Sequence, residues 1–195
     1  MNPPKDSKLF MSEALLKLDL YQNLISLPEG LTGEILKGQL HTHPRFSGKH
    51  IRASYRLGYF LGGPFDEGIN GPGGWIILQE PGVHFDLDKE VVVPDLAGWR
   101  KERLPEIPDS HKFTVAPDWV CEVLSPSTAS IDKDIKMPLY AHYGVKYLWL
   151  IDPKALILDA YKLIGGSWTL GHFTAQDAVS VEPFDAISFS PDKLI

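Results

Sequence analysis

The chain has 195 residues, of which 44% are hydrophobic and 23% charged; this suits one domain with a core and excludes a disordered composition. No apolar stretch approaches the roughly 20 residues of a membrane helix, and the charge-punctuated start MNPPKDSKLFMSEALLKLDL is not read as a secretory signal. A single cysteine, Cys121, excludes an internal disulfide framework and an all-cysteine zinc site, so a cytoplasmic setting is expected.

In chain order, Ser12 and the apolar spacing after it predict a helix over 12–22. GEILKGQLHTH predicts two short strands about a Lys37-Gly38 turn. GKHIRASYRLGYFL predicts a helix over about 48–61, with Lys49, Arg52 and Arg56 on one stripe and Ile51, Tyr55 and Gly58 on another face. The glycine-rich GGPFDEGINGPGG reads as a loop; it lacks the G-x-x-x-x-G-K-[ST] of a phosphate cradle. WIILQEPGVHFDL gives two strands about a Pro-Gly turn, and VVVPDLAGW a third, interrupted by Pro94. DWVCEVL is a buried strand, followed by a helix over about 132–143, the strand VKYLWLID, a hairpin at 156–163 and 167–173, and an irregular tail. Together these predict a single α/β domain over 1–195, a mixed central sheet flanked by helices, with an N-terminal helix and hairpin and a C-terminal hairpin.

The net charge of −6 argues mildly against a nucleic-acid ligand. Its distribution argues otherwise. Residues 1–60 carry eight Lys/Arg against five acids, and between Glu34 and Asp66 there is no acid at all. The Lys49/Arg52/Arg56 stripe is either a solvated helix face or a track for a phosphate backbone.

Two carboxylates stand where burial should discourage them. Asp95 follows Val91-Val92-Val93, and Glu122 lies inside an otherwise apolar strand, sharing a face with Val120 by alternation. A carboxylate inside a core strand costs several kcal/mol, roughly, unless it is paired or metal-bound. The alternatives are a buried salt bridge or a shared hard cation such as Mg²⁺. Lys136, on the helix after the Glu122 strand, lies at the edge of the buried stripe marked by Ile135 and Leu139 and could reach back toward both acids; Lys133 is close enough to be confused with it. Metal, acid pair and ammonium together suit phosphodiester hydrolysis.

These segments carry a resemblance. VVVPDLAGW, PDWVCEVLSPST and IDKDIKMPLYAHYGVKYLWLIDP resemble, in that order, the Uma restriction-endonuclease family of the PD-(D/E)XK nuclease superfamily. The similarity runs from about residue 33 to 185 as an endonuclease-like core and is most specific over 117–153. It implies a restriction-endonuclease-like fold, a Mg²⁺- or Mn²⁺-dependent DNA endonuclease, and a homodimer for double-strand cleavage. It implies Asp95 and Glu122 as metal-binding acids and Lys136 as the catalytic lysine, because Leu124 stands where the superfamily's E-x-K lysine would be. His50 resembles the histidine that begins the family's first core helix, and Glu34 falls at a position the family favours, near the site. Pro138, two residues beyond Lys136, predicts a late start or a kink in that helix.

Other signals point elsewhere. His41 and His43 lack a third ligand at Ser47, Ser125 and Ser127 suit a turn or cap, and Cys121 faces away from Glu122 as an inert thiol. Trp75, Trp119, Trp149 and Trp168 read as packing residues, with Trp99 beside Arg100 a candidate for base stacking. Two rival functions follow from the same residues. One is a non-catalytic nucleic-acid-binding or scaffold protein keeping the nuclease fold, which would bind DNA without cleaving it. The other is a metal-free carboxylate-pair hydrolase of another substrate, which would bind no divalent ion.

Overall fold

The computed structural model describes residues 20–195, so most of the helix expected at 12–22 lies outside the described residues; 20–25 are helical. Strands β1 (Leu31–Leu36) and β2 (Gln39–Pro44) form the expected hairpin. Its two-residue turn places both Lys37 and Gly38 at positive φ, 51° and 73°, the geometry that matches strand twist in a tight hairpin. Helix α1 (Gly48–Leu61) follows, capped by the Ser47 side chain on the His50 amide. The glycine-rich segment does not all read as loop: Gly62–Glu67 is a π-helical turn.

Among the described residues the expected single sheet is two. One is five-stranded, in the order β2-β1-β5-β4-β7, and adds β4 (Gly82–Asp86), β5 (Glu90–Val92) and β7 (Lys112–Phe113). The other is six-stranded, in the order β11-β10-β9-β8-β6-β3. It holds β3 (Trp75–Gln79), β6 (Leu96–Arg100), β8 (Trp119–Val123), β9 (Tyr147–Asp152), β10 (Ile157–Ile164) and β11 (Ser167–Thr174). Both sheets are mixed: β8 and β9 run parallel in one, β4 and β7 in the other. The strands on either side of the Pro-Gly turn therefore part company, β3 pairing with β6 and β4 with β5. Pro94 likewise marks a crossing, since β5 and β6 before and after it belong to different sheets.

Alternation along β8 and β9 makes the six-stranded sheet two-faced. Trp119, Cys121, Val123, Trp149 and Ile151 pack with Ala53, Leu57 and Leu61 of α1 and with Phe184, Phe189 and Leu194 of the tail. Val120, Leu148 and Leu150 pack on the opposite side against Leu36, Val83 and Val92 of the five-stranded sheet and Leu139 and Tyr140 of the helix joining β8 to β9. That helix, α2, runs through Ala129–Ile131, a π turn at Asp132–Lys136, and Met137–His142. Gly98 of β6 is small of necessity, because a Cβ there would stand 3.2 Å from the rings of both Trp75 and Trp119.

Phe184 pins the tail. Its ring lies 4.7 Å from Phe65, 4.9 Å from both Trp75 and Trp119, and 5.6 Å from Trp149, centre to centre. Phe184→Leu should cost about 1–3 kcal/mol in urea unfolding; a loss inside the error of the fit would mean that the tail contributes little to the core. The exposed side of α1 is also apolar in part, with Ile51 54%, Tyr55 58% and Tyr59 65% exposed. Among the described residues no helix is long and apolar enough to cross a membrane.

Candidate active site

Asp95 sits in a bend between β5 and β6, at the crossing made by Pro94. The break in the strand frees its carboxylate to turn back onto β8. There Oδ2 accepts the Val123 amide at 2.7 Å, and Oδ1 meets Nε2 of His50 at 2.5 Å. Glu122, one residue before Val123, projects from the β8 face shared with Val120, between the two sheets. Glu34 reaches the same place from β1, with Oε1 accepting the Val93 amide at 2.7 Å.

Lys136 closes the cluster from α2. Its Nζ is 2.7 Å from Glu122 Oε1, 2.9 Å from Glu34 Oε1 and 3.5 Å from Asp132 Oδ1. Tyr140 donates its hydroxyl proton to the same Glu122 Oε1. Glu34, His50, Asp95, Glu122, Asp132 and Lys136 are all buried, none more than 5% exposed. The predicted Asp95, Glu122 and Lys136, and with them Glu34 and His50, are thus brought together. Asp132 and Tyr140 are additions.

Pro138 does not end α2: it falls in the first turn of the segment Met137–His142, and the expected late start or kink takes the form of a change of helix type just before it. In an α-helix its ring would press on the carbonyl of Asp134. The π turn widens the helix just before it, with the Met137 amide bonding to the Asp132 carbonyl, five residues back. Lys136 is carried inward on this turn and is buried, whereas Lys133 is exposed.

Charge in the cluster is unbalanced. Four carboxyl groups face one ammonium, with the His50 imidazole beside Asp95. Burial pushes the Glu122 carboxyl well above its usual range; Lys136 opposes this, and Asp132, Asp95 and Glu34 reinforce it. Burial also raises Asp132, again against Lys136. For Lys136 itself burial favours proton loss, but Glu122, Glu34, Tyr140 and Asp132 outweigh it and hold the ammonium pKa well above its ordinary value. Burial, with Glu122 beside it, keeps the Tyr140 phenol protonated far above the usual range. Uncompensated buried carboxylate of this kind is what a hard divalent cation relieves.

The donor set fits such a cation chemically. Mg²⁺ takes oxygen ligands, commonly one or two protein carboxylates with water and substrate oxygens completing the shell. Glu122 Oε2 makes no hydrogen bond among the described residues, because Lys136 and Tyr140 both address Oε1. Each Asp95 oxygen, with one partner, keeps a second lone pair. Among the described residues no three His, Cys, Asp or Glu side chains form a ready-made ion cage. The His50 Nδ1 is buried with no hydrogen-bond partner among the described residues, and the ring is stacked on Phe46 at 3.7 Å.

The basic stripe divides. Lys49 and Arg52 are exposed, while Arg56 donates to the Lys193 carbonyl at 3.1 Å and lies over the Tyr59 and Phe60 rings. Trp99 is no stacking platform: it is fully buried, with its indole N–H on the Val115 carbonyl at 2.8 Å, and Arg100 lies over Trp75 instead. Ser125 bonds Ser127 and Thr128 within the turn, as expected. Cys121 is buried, and burial raises its thiol well above the usual range.

A family model, Uma2, described as "Putative restriction endonuclease", matches residues 18–191. Among solved structures the chain is similar to "a putative nuclease belonging to DUF820 from Anabaena variabilis ATCC 29413", with a TM-score of 0.70 and 22% identity, over 89% of this chain and 96% of that one. No curated protein matches the chain. The structural likeness establishes a shared fold, and the restriction-endonuclease-like α/β class expected from the sequence is the one found.

Proposed function

The chain belongs to the Uma2 family, and from that premise we propose that it is a divalent-metal-dependent endonuclease acting on DNA. The observation that carries this reading is a buried cluster in which Lys136 of α2 pairs with Glu122 of β8 while Asp95, from the bend before β6, accepts the adjoining Val123 amide. Asp95 and Glu122 are the residues that would hold Mg²⁺ or Mn²⁺. The ion would polarise the scissile phosphate and lower the pKa of an attacking water.

The chain's own groups do the rest. His50 and the Val123 amide fix the Asp95 carboxylate from two sides. Tyr140 and Lys136 hold Glu122 by one oxygen, and the other would be available to hold the cation. Lys136 keeps its proton near neutral pH and places a full positive charge at Nζ, where it offsets negative charge growing on the phosphate. Glu34 and Asp132 steady that ammonium. Lys49 and Arg52 on the exposed side of α1, with Arg56 nearer the tail, are candidates to guide the phosphate backbone. A homodimer in the cytoplasm is part of the reading, since one such site cuts one strand.

The test is nicking of supercoiled plasmid in Mg²⁺ or Mn²⁺ against EDTA. Metal-dependent conversion to open-circular and linear forms is expected. Salt-sensitive DNA binding with no cleavage across a panel of duplex, single-stranded and branched substrates would replace this reading with that of a non-catalytic binding protein.

A further inference from the structure

Beside the carboxylate cluster lies a cleft of about 540 Å³ that the catalytic groups do not use. It opens at the C-terminal ends of the parallel strands β8 and β9, the edge of a parallel pair where ligands characteristically bind. Three lysines line it from three separate elements: Lys49 at the start of α1, Lys133 in the π turn of α2, and Lys154 in the turn after β9. None of the three makes an ion pair among the described residues. Asp152 also borders the cleft, but its Oδ1 accepts the amides of Lys154 and Ala155 at 2.9 and 2.8 Å and so is tied to the turn. Between the lysines the walls are apolar, formed by Leu124, Pro126 and Pro153.

The cleft is joined to the site by short tethers. Leu124 is two residues past Glu122, Lys133 three before Lys136, and Ser47 caps the helix that carries His50. Three unpaired cations around an apolar wall suit a ligand that is anionic at one end and flat and apolar at the other. An inorganic anion would leave the apolar wall idle, and an uncharged ring would leave the lysines unpaired.

We propose that this cleft holds the nucleotide adjoining the scissile phosphate, its base and sugar against Leu124, Pro126 and Pro153 and its phosphate among Lys49, Lys133 and Lys154. The proposal rests on the nuclease reading for the identity of the polymer. It also accounts for Leu124: with the reactive lysine supplied by α2, the position on β8 is released to form a wall for a base.

The test measures binding separately from cleavage. A fluorescent single-stranded oligonucleotide is titrated by anisotropy in EDTA, over a range of salt, with wild type, the triple variant Lys49→Ala/Lys133→Ala/Lys154→Ala, and the filling variant Ala129→Trp. Ala129 lines the cleft without bearing charge. Each phosphate contact contributes about 0.7 to the slope of log K against log salt for single strands, so with one phosphate held among the three lysines the triple variant should lose about 0.7 from that slope. Ala129→Trp should weaken binding severalfold with the slope nearly unchanged. A 5′-mononucleotide should compete better than inorganic phosphate. Wild-type affinity and slope in the triple variant overturn the proposal, as does equal competition by phosphate, which means a bare anion site. Full binding in Ala129→Trp, with its melting temperature kept, also overturns it. Wild-type binding lost in the variants while no protein cleaves leaves the cleft standing and removes the nuclease reading alone.

Discussion

Asp95→Asn should lower Mg²⁺-dependent strand cleavage by roughly 10³-fold or more while leaving the melting temperature near that of wild type. The substitution is close to isosteric. An asparagine oxygen can still accept the Val123 amide now bound at 2.7 Å. The amide nitrogen would face His50, whose ring can answer by carrying its proton on Nδ1 and accepting at Nε2; among the described residues Nδ1 has no partner to lose. What disappears is the formal charge, and with it half of the proposed carboxylate pair. Asp95→Ala is the poorer experiment, because it also orphans the Val123 amide and leaves a hole beside β8. Cleavage persisting at wild-type rate in both Asp95→Asn and Glu122→Gln would remove these residues from the site.

The second large effect belongs to Lys136→Met. The side chain is of similar length, yet it takes away the ammonium that Glu122, Glu34 and Asp132 share. Removing one partner from a buried ionic cluster costs about 3–5 kcal/mol, and cleavage should fall with it. The pH dependence separates this cause from simple misfolding. Burial already raises Glu122 and Asp132, and Lys136 is what restrains them; without it both rise further. A carboxyl whose folded pKa exceeds its unfolded value, about 4, favours folding while protonated and loses that advantage as pH climbs toward the folded pKa. In wild type the raised Lys136 acts in the opposite range: its contribution is complete below the unfolded lysine value of about 10.4 and is lost only as pH rises through the folded one. In metal-free buffer the stability gap between wild type and variant should therefore widen from pH 4 to pH 7. A gap that is constant or narrows would show that the acids are not held by this lysine.

How much of this was legible depended on distance along the chain. The run from Trp119 to Asp152 could be read because its signals are local: alternation in β8, a helix ended by Gly144, then an apolar parallel strand. Glu122 stood out for being charged on an apolar face. The division into two sheets could not be read in the same way. Alternation tells which side of a strand is buried but not which strand lies beside it, so WIILQ and GVHFD looked like neighbours. Pro94 was visible as an interruption, but its role as the crossing between sheets depends on β1 and β8, which pair far from it. Asp132 and Tyr140 did carry a signal that went unused. They lie four residues before and four after Lys136, the spacing that aligns side chains on one helix face. In IDKDIKMPLY that signal was masked by alternating charges that resemble a solvated surface. The −6 total also reads differently: Glu34, Asp95, Glu122 and Asp132 are acids folded inward, so the total overstates the negative charge that an approaching polyanion meets.

The π turn in α2 has a consequence for inheritance. A lysine on β8 would be specified by a letter at position 124, and a comparison of letters would find it or miss it there. Here the ammonium is specified by a count, since the extra residue in one helical turn fixes the angle at which position 136 leaves the axis. Deleting a residue within 133–135 would remove the extra residue of this turn and change the angle at which the lysine leaves the axis, since the two kinds of turn differ in residues per turn. Glu34, Asp95 and Glu122, carried outside α2, would remain in place with the lysine no longer aimed at them. In such a protein, insertions and deletions near the helix start are graver events than most exchanges of one side chain for another, and relatives that keep the site should keep the spacing more strictly than the residues that fill it.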